Sequence, residues 1–127
     1  MRRKFDAWLE AWKFDSNHKP LLVKGARQVG KTESIRHFAN AHYDNVIEIN
    51  FVFQPEFKQI TADGYKAERV IKRMSALDPT LRFIPGHTLL FFDEIQEFPD
   101  VATTFKDFKE DGRFDIISSG SMLGVHY

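Results

Sequence analysis

The sequence predicts an α/β fold built on a parallel sheet, and three observations carry that expectation. Apolar runs alternate with amphipathic stretches along the chain, the runs show no polar alternation, and the first of them leads into a glycine-bracketed loop. An apolar run without alternation suits a strand covered on both faces, which is the condition of a strand in a parallel sheet flanked by helices.

Taken in order, Phe5, Trp8, Leu9 and Trp12 recur at helical spacing, so residues 3–13 read as an amphipathic helix, with Trp8, Trp12 and Phe14 expected in the core rather than stacked on an adenine. Residues 15–20 form a loop rich in polar residues and closed by Pro20. Leu21-Leu22-Val23 begins a buried strand, and a helix is expected from about Thr32 to His42. Residues 46–51 read as a second strand, and residues 52–65 as irregular, broken by Pro55 and Gly64. Residues 66–77 carry Val70, Met74 and Leu77 on one helical face. Residues 88–92 form a third strand, residues 100–110 a helix striped with Val101, Phe105 and Phe108, and residues 115–118 a fourth strand.

The chain has 127 residues, the size of one domain, and thirteen are Phe, so it can bury an aromatic core. Aromatic content and zero formal net charge exclude intrinsic disorder, and bulk charge points to neither nucleic acid nor a membrane. Residues 1–50 hold nine basic and six acidic side chains, residues 51–127 nine and twelve. That asymmetry fits phosphate handling early and cation handling later. Without cysteine there is no disulfide or thiolate chemistry. The N-terminal Met-Arg-Arg-Lys leads into no apolar run of signal-peptide type, and no window approaches the ~18 apolar residues of a membrane span. A cytoplasmic location is expected.

Gly25-Ala26-Arg27-Gln28-Val29-Gly30-Lys31-Thr32 matches G-x-x-x-x-G-K-[ST], the P-loop or Walker A pattern, in full. Gly25 and Gly30 let the backbone turn and bring amide N–H groups near phosphate oxygens. The following helix aims its positive end at the same place. Lys31 supplies a charge for the β- and γ-phosphates, and the Thr32 hydroxyl suits a magnesium ligand. With Gly near ~7% of residues, the four fixed positions coincide by chance in well under ~1% of chains this long. The strand before and helix after also argue against a chance turn. ATP with Mg2+ is therefore the expected ligand pair.

Leu89-Leu90-Phe91-Phe92-Asp93-Glu94 is an apolar strand ending in two carboxylates, a Walker B pattern. Alone it is equally a solvated acidic pair at a strand end. After a complete P-loop, Asp93 is expected in the magnesium shell and Glu94 as the general base for an attacking water. Ser118-Ser119-Gly120-Ser121 closes the last strand. Ser119, then Ser121, is the candidate for a polar side chain near the γ-phosphate; the plain alternative is a Ser/Gly turn.

GARQVGKT, LLFFDEIQEFPD and ISSGSMLG, in that order and spacing, resemble a prokaryotic group of AAA-type ATPases whose members carry a C-terminal domain of nuclease-like, poorly defined fold. The resemblance runs from the N-terminal helix to the strand of Ser119. It implies Lys31 and Thr32 as the Walker A pair, Asp93 and Glu94 as the Walker B pair, Gln96 as part of a DEIQ signature and Ser119 as the polar sensor. It implies further elements beyond Tyr127, namely another helix, a fifth strand, arginine fingers and the second domain, so residues 1–127 are expected to be the front part of one ATPase domain. Arg113 precedes the sensor strand and is poorly placed for a finger. Sheets of this type run 5-1-4-3-2, so the four strands here should order 1-4-3-2, with the first at an open edge that invites an edge-strand dimer or homo-oligomer. The resemblance implies ATP binding by this segment and Mg-dependent hydrolysis that also rests on the parts beyond it.

Other signals carry less. The five His residues show no convincing metal spacing. His18 reads as a loop histidine rather than a base or ribose contact, and Arg2, Arg3 and Lys4 as a solvated terminus. Arg27 and Gln28 are open between solvent and the nucleotide or a neighbouring subunit. An ATP-gated switch with little turnover is the alternative function. A small-molecule kinase lacks its arginine-bearing lid here, and a GTPase lacks its Asn-Lys-x-Asp base reader.

Overall fold

The computed structural model of the chain describes residues 4–25 and 29–121. Helices and strands alternate among them: α1 (Lys4–Phe14), β1 (Leu21–Gly25), α2 (Val29–His42), β2 (Asn45–Asn50), α3 (Ala67–Leu77), β3 (Thr88–Asp93), α4 (Phe105–Asp111) and β4 (Asp115–Ser121). The strands form one sheet in the order β1-β4-β3-β2. Every pairing is parallel, so each strand must be reached by a crossover that carries a helix over the sheet. The order is the expected 1-4-3-2, and β1 lies at the edge with β4 between it and β3. No helix among the described residues is long and apolar enough to cross a membrane.

The alternation of side chains along each strand divides the core into two layers. Leu89 and Phe91 of β3 and Ile117 of β4 face one side, where they pack with Leu9 of α1 and Ile35, Phe38 and Ala39 of α2. Leu90 and Phe92 of β3 and Ile116 of β4 face the other, against Val70 and Met74 of α3 and Phe108 of α4. All six residues of β3 are buried, as an unalternating apolar run requires. Aromatic rings fill the second layer: Phe51 stacks on Phe92 with centroids 5.8 Å apart and meets Phe98 edge-on at 5.1 Å.

Several elements differ from the sequence-based expectation. The irregular stretch after β2 contains a 3-10 turn at Pro55–Gln59 that delivers Phe57 and Ile60 into the core. The helix expected over residues 100–110 begins as a 3-10 turn, Pro99–Thr104, and becomes α-helical only at Phe105. Strand β4 runs to Ser121, beyond the expected residue 118, because β1 offers it a parallel partner as far as Gly25. On α1, Trp12 packs inward with Nε1–H donating to Lys19 O at 2.7 Å, whereas Trp8 and Phe14 are 48% and 71% exposed and leave the core to Leu9.

A polar cluster ties the N-terminal ends of the strands together. The Asp115 carboxylate, at the first residue of β4, accepts from the Tyr43 hydroxyl at 2.6 Å and lies 2.6 Å from His18 Nε2. One carboxylate thus joins the loop before β1, the turn before β2 and β4. Burial, then the bond to Asp115, raises the Tyr43 phenol well above its ordinary range. Asp115→Ala strands two polar partners, one of them on a largely buried tyrosine, and should lower unfolding stability by about 2–4 kcal/mol. Urea denaturation checks this; a loss under about 0.5 kcal/mol would mean that the cluster is not a structural tie.

Candidate nucleotide-binding site

The site is assembled at the C-terminal ends of the strands, on the sheet face covered by α2. Residues two apart in a strand share a face. Asp93 therefore follows Leu89 and Phe91 on the α2 side, and Ser119 follows Ile117 on the same side. Register brings them together: Asp93 of β3 is opposite Ser119 of β4, and Ser119 is opposite Val23 of β1. Two residues beyond Val23, β1 ends at Gly25, opposite Ser121. Asp93 and Ser119 are both buried, at 6% and 8% exposure.

Helix α2 starts at Val29, earlier than the expected Thr32, so Gly30, Lys31 and Thr32 all lie in its first turn. That turn holds no acidic side chain, so no carboxylate of its own opposes the positive end of the helix dipole. Lys31 Nζ donates to Lys24 O at 3.1 Å, which sets the ammonium across the P-loop at the end of β1. Ala26, Arg27 and Gln28 lie outside the described residues, as do the side chains of Gly25, Val29 and Ser121.

Immediately after β3 the chain takes a conformation that only glycine adopts freely. Glu94 has φ 57° and ψ 46°, the left-handed region, which costs a non-glycine residue on the order of 1–2 kcal/mol. Its N–H donates to Asp93 Oδ1 at 2.9 Å. The 3-10 turn Ile95–Glu97 follows, with Ile95 fully buried, and Gln96 Nε2 donates to Glu94 Oε2 at 2.6 Å. Backbone strain at this point, beside two carboxylates, is the kind that functional sites retain.

Some neighbours of the site were not singled out in the sequence. Arg36, one turn along α2 from Thr32, forms a two-pronged bond with Glu48 of β2 at 2.9 and 2.7 Å and also reaches Glu33 at 2.8 Å. The Glu48 contact, helped by Glu33, holds the guanidinium charged well above its ordinary range against the opposing effect of burial. Helical spacing from Thr32 and strand alternation from Asn50 together place this pair on the α2 face, so the signal was present in the pattern. The Ser118–Ser121 segment is a strand, not a turn.

Burial, the largest cause, pushes the Asp93 carboxyl above its ordinary 3.8; the charges of Glu94 and Glu48 add to this, while the Glu94 N–H and Arg36 oppose it. A desolvated carboxylate of this kind fits a hard cation. Among the described residues no three His, Asp or Glu side chains converge to hold a metal alone. Mg2+ does not need such a cage, since one or two carboxylates, a hydroxyl and phosphate oxygens complete its shell. A separate cavity of about 200 Å3, lined by His18, Lys19, Phe108, Lys109 and Asp115, lies at the opposite ends of the strands and is not part of this site.

The AAA domain family matches residues 17–126. This chain belongs to that family. As an AAA domain it is a nucleotide-binding ATPase module of P-loop type. PCH-2 of C. elegans has a similar structure, with a TM-score of 0.52 at 11% identity over 98% of this chain, which supports the fold. The match covers 37% of the PCH-2 chain, so this chain spans little more than a third of that protein. No curated protein sequence matches significantly.

The pH dependence of stability tests the burial of Asp93. An acid whose pKa is raised by folding stabilises the fold below its unfolded pKa and loses that contribution as pH rises through the folded value. Where it is ionised, the desolvated Asp93 therefore opposes folding of the unliganded chain. Asp93→Asn should raise the unfolding midpoint at pH 7 and change it little near pH 3. A midpoint unchanged or lowered at pH 7 would show that the carboxylate is not held at a cost.

Proposed function

We propose that this AAA domain binds ATP with Mg2+ at the P-loop and hydrolyses it. The observation that carries the reading is the register that sets Asp93 beside Ser119 on the face of α2, next to the end of the strand that enters the P-loop. In this reading the backbone of Gly25 to Gly30 cradles the phosphates, with the first turn of α2 contributing its N–H groups. Ala26, Arg27, Gln28 and Val29 take part through their main chain. Lys31 leaves Lys24 O for the β- and γ-phosphate oxygens, a stronger, charge-assisted partner. Thr32 and Asp93 hold Mg2+, which when bound neutralises charge on the phosphates. Glu94 accepts a proton from the attacking water. Ser119, buried between β1 and β3, donates its hydroxyl toward the γ-phosphate.

Two substitutions separate binding from chemistry. Lys31→Ala removes the side-chain charge and should weaken ATP binding at least ~10-fold in a calorimetric titration. Equal affinity of variant and wild type would remove the P-loop assignment. Glu94→Gln keeps the shape but cannot take the proton, and should leave Mg-ATP affinity within about twofold while lowering kcat by about 10²–10⁴-fold. Hydrolysis at the wild-type rate would show that another group is the base.

A further inference from the structure

We propose that Gln96 is a positioning residue for Glu94, and that β4 holds Gln96 to this task through Gly120. The proposal rests on the reading of Glu94 as the base.

Glu94 stands on a strained residue at the end of β3, and its long side chain has no strand or helix of its own to fix its direction. Gln96 supplies the fixed point. Its Nε2 lies 2.6 Å from Glu94 Oε2, and the nitrogen must face that oxygen because an amide oxygen there would repel the carboxylate. Gln96 itself sits on a rigid turn. Glu97 N–H bonds to Glu94 O at 3.0 Å, Phe98 N–H to Ile95 O at 2.9 Å, and Ile95 is fully buried.

The other end of the amide abuts β4. A Cβ added at Gly120 would meet Gln96 Oε1 and Ile95 Cγ2, each at 2.8 Å, closer than real Cβ contacts allow. Gly120 follows Ser119, the residue in register with Asp93. The absence of a side chain at position 120 thus lets the Gln96 amide lie against the strand that carries Ser119. Glycine here serves close approach rather than a special backbone conformation. A methyl group at 120 would press on the Gln96 amide and on Ile95 of the same turn, and so disturb an anchor of the Glu94 carboxylate.

The test measures kcat, ATP affinity and thermal midpoint for wild type, Gln96→Leu, Gly120→Ala and the double variant of the full-length protein. Gln96→Leu should lower kcat about 10–100-fold, the scale of a misplaced reacting group, with ATP affinity within about twofold and the midpoint little changed. Gly120→Ala should lower kcat similarly in wild type and have a smaller effect in the Gln96→Leu background, where only its contact with Ile95 remains. Full kcat in Gln96→Leu overturns the proposal, as does a parallel loss of affinity and midpoint, or a Gly120→Ala effect that is the same in both backgrounds. An NMR reading needs no turnover: the Gln96 side-chain amide resonance should move on Glu94→Ala, and an unmoved resonance overturns the proposal. If the full-length wild type binds ATP in a Lys31-dependent manner but never hydrolyses it, the hydrolytic reading fails, and the catalytic purpose of Gln96 fails with it.

Discussion

A carboxylate held out of water at the end of a fully buried strand is the constraint around which the site is organised. Each residue of β3 from Thr88 to Asp93 is buried, so its last residue cannot escape into solvent without breaking the pairing to β2 and β4. Alternation then fixes which face Asp93 occupies, and register fixes its neighbour as Ser119. The apolar residues before it, Leu89 and Phe91, face the same layer as Ile35 and Phe38 of α2, so the packing of that layer determines how close α2 and its first turn come to the carboxylate. Core and site are thus one construction, and the burial that defines the sheet also raises the pKa of Asp93.

Much of this was legible in the sequence because two periodicities and one motif are strong. Unbroken apolar runs marked β3 and β4 as doubly covered, and the P-loop marked the junction of β1 and α2. Strand order followed from the type of ATPase that the motifs resemble, not from pattern, since alternation says which face a residue takes and nothing about which strand lies next to which. What pattern could not reach were features set by contact between distant segments. Gly120 carried no reading of its own beside Ser119, because its need for an absent Cβ arises only when Gln96 is brought against it. His18 lies in a loop as expected, but its contact with Asp115, 97 positions away, was out of reach of pattern. Trp8 and Phe14 looked like core residues, yet the layer over α2 is already filled by Leu9, Trp12, Phe38 and Tyr43.

The two ends of the sheet are treated differently, and the difference bears on function. At the N-terminal ends Asp115 has its charge taken up by His18 and Tyr43, which closes the segment junctions onto one another. At the C-terminal ends the bonds are more local, with Lys31 reaching Lys24 O and Gln96 reaching Glu94. The first turn of α2 has no acidic residue to neutralise it, and Asp93 accepts the N–H of its own neighbour Glu94 while remaining desolvated. In the proposed reading the phosphates of a magnesium nucleotide would face the helix end and the cation would face Asp93.

Strain at Glu94 belongs to the same logic. Were the chain to leave β3 in an extended conformation, it would carry Glu94 onward along the strand axis. The left-handed residue instead turns the backbone at once, so that Ile95 enters the core beneath β4 and Gln96 comes within reach of both Glu94 and Gly120. A glycine at position 94 would relieve the backbone but carry no carboxylate, and an asparagine would tolerate the conformation but could not act as a base. A glutamate kept there at a local cost of the order of 1–2 kcal/mol is what a site retains when the side chain, rather than the backbone, is what the position is for.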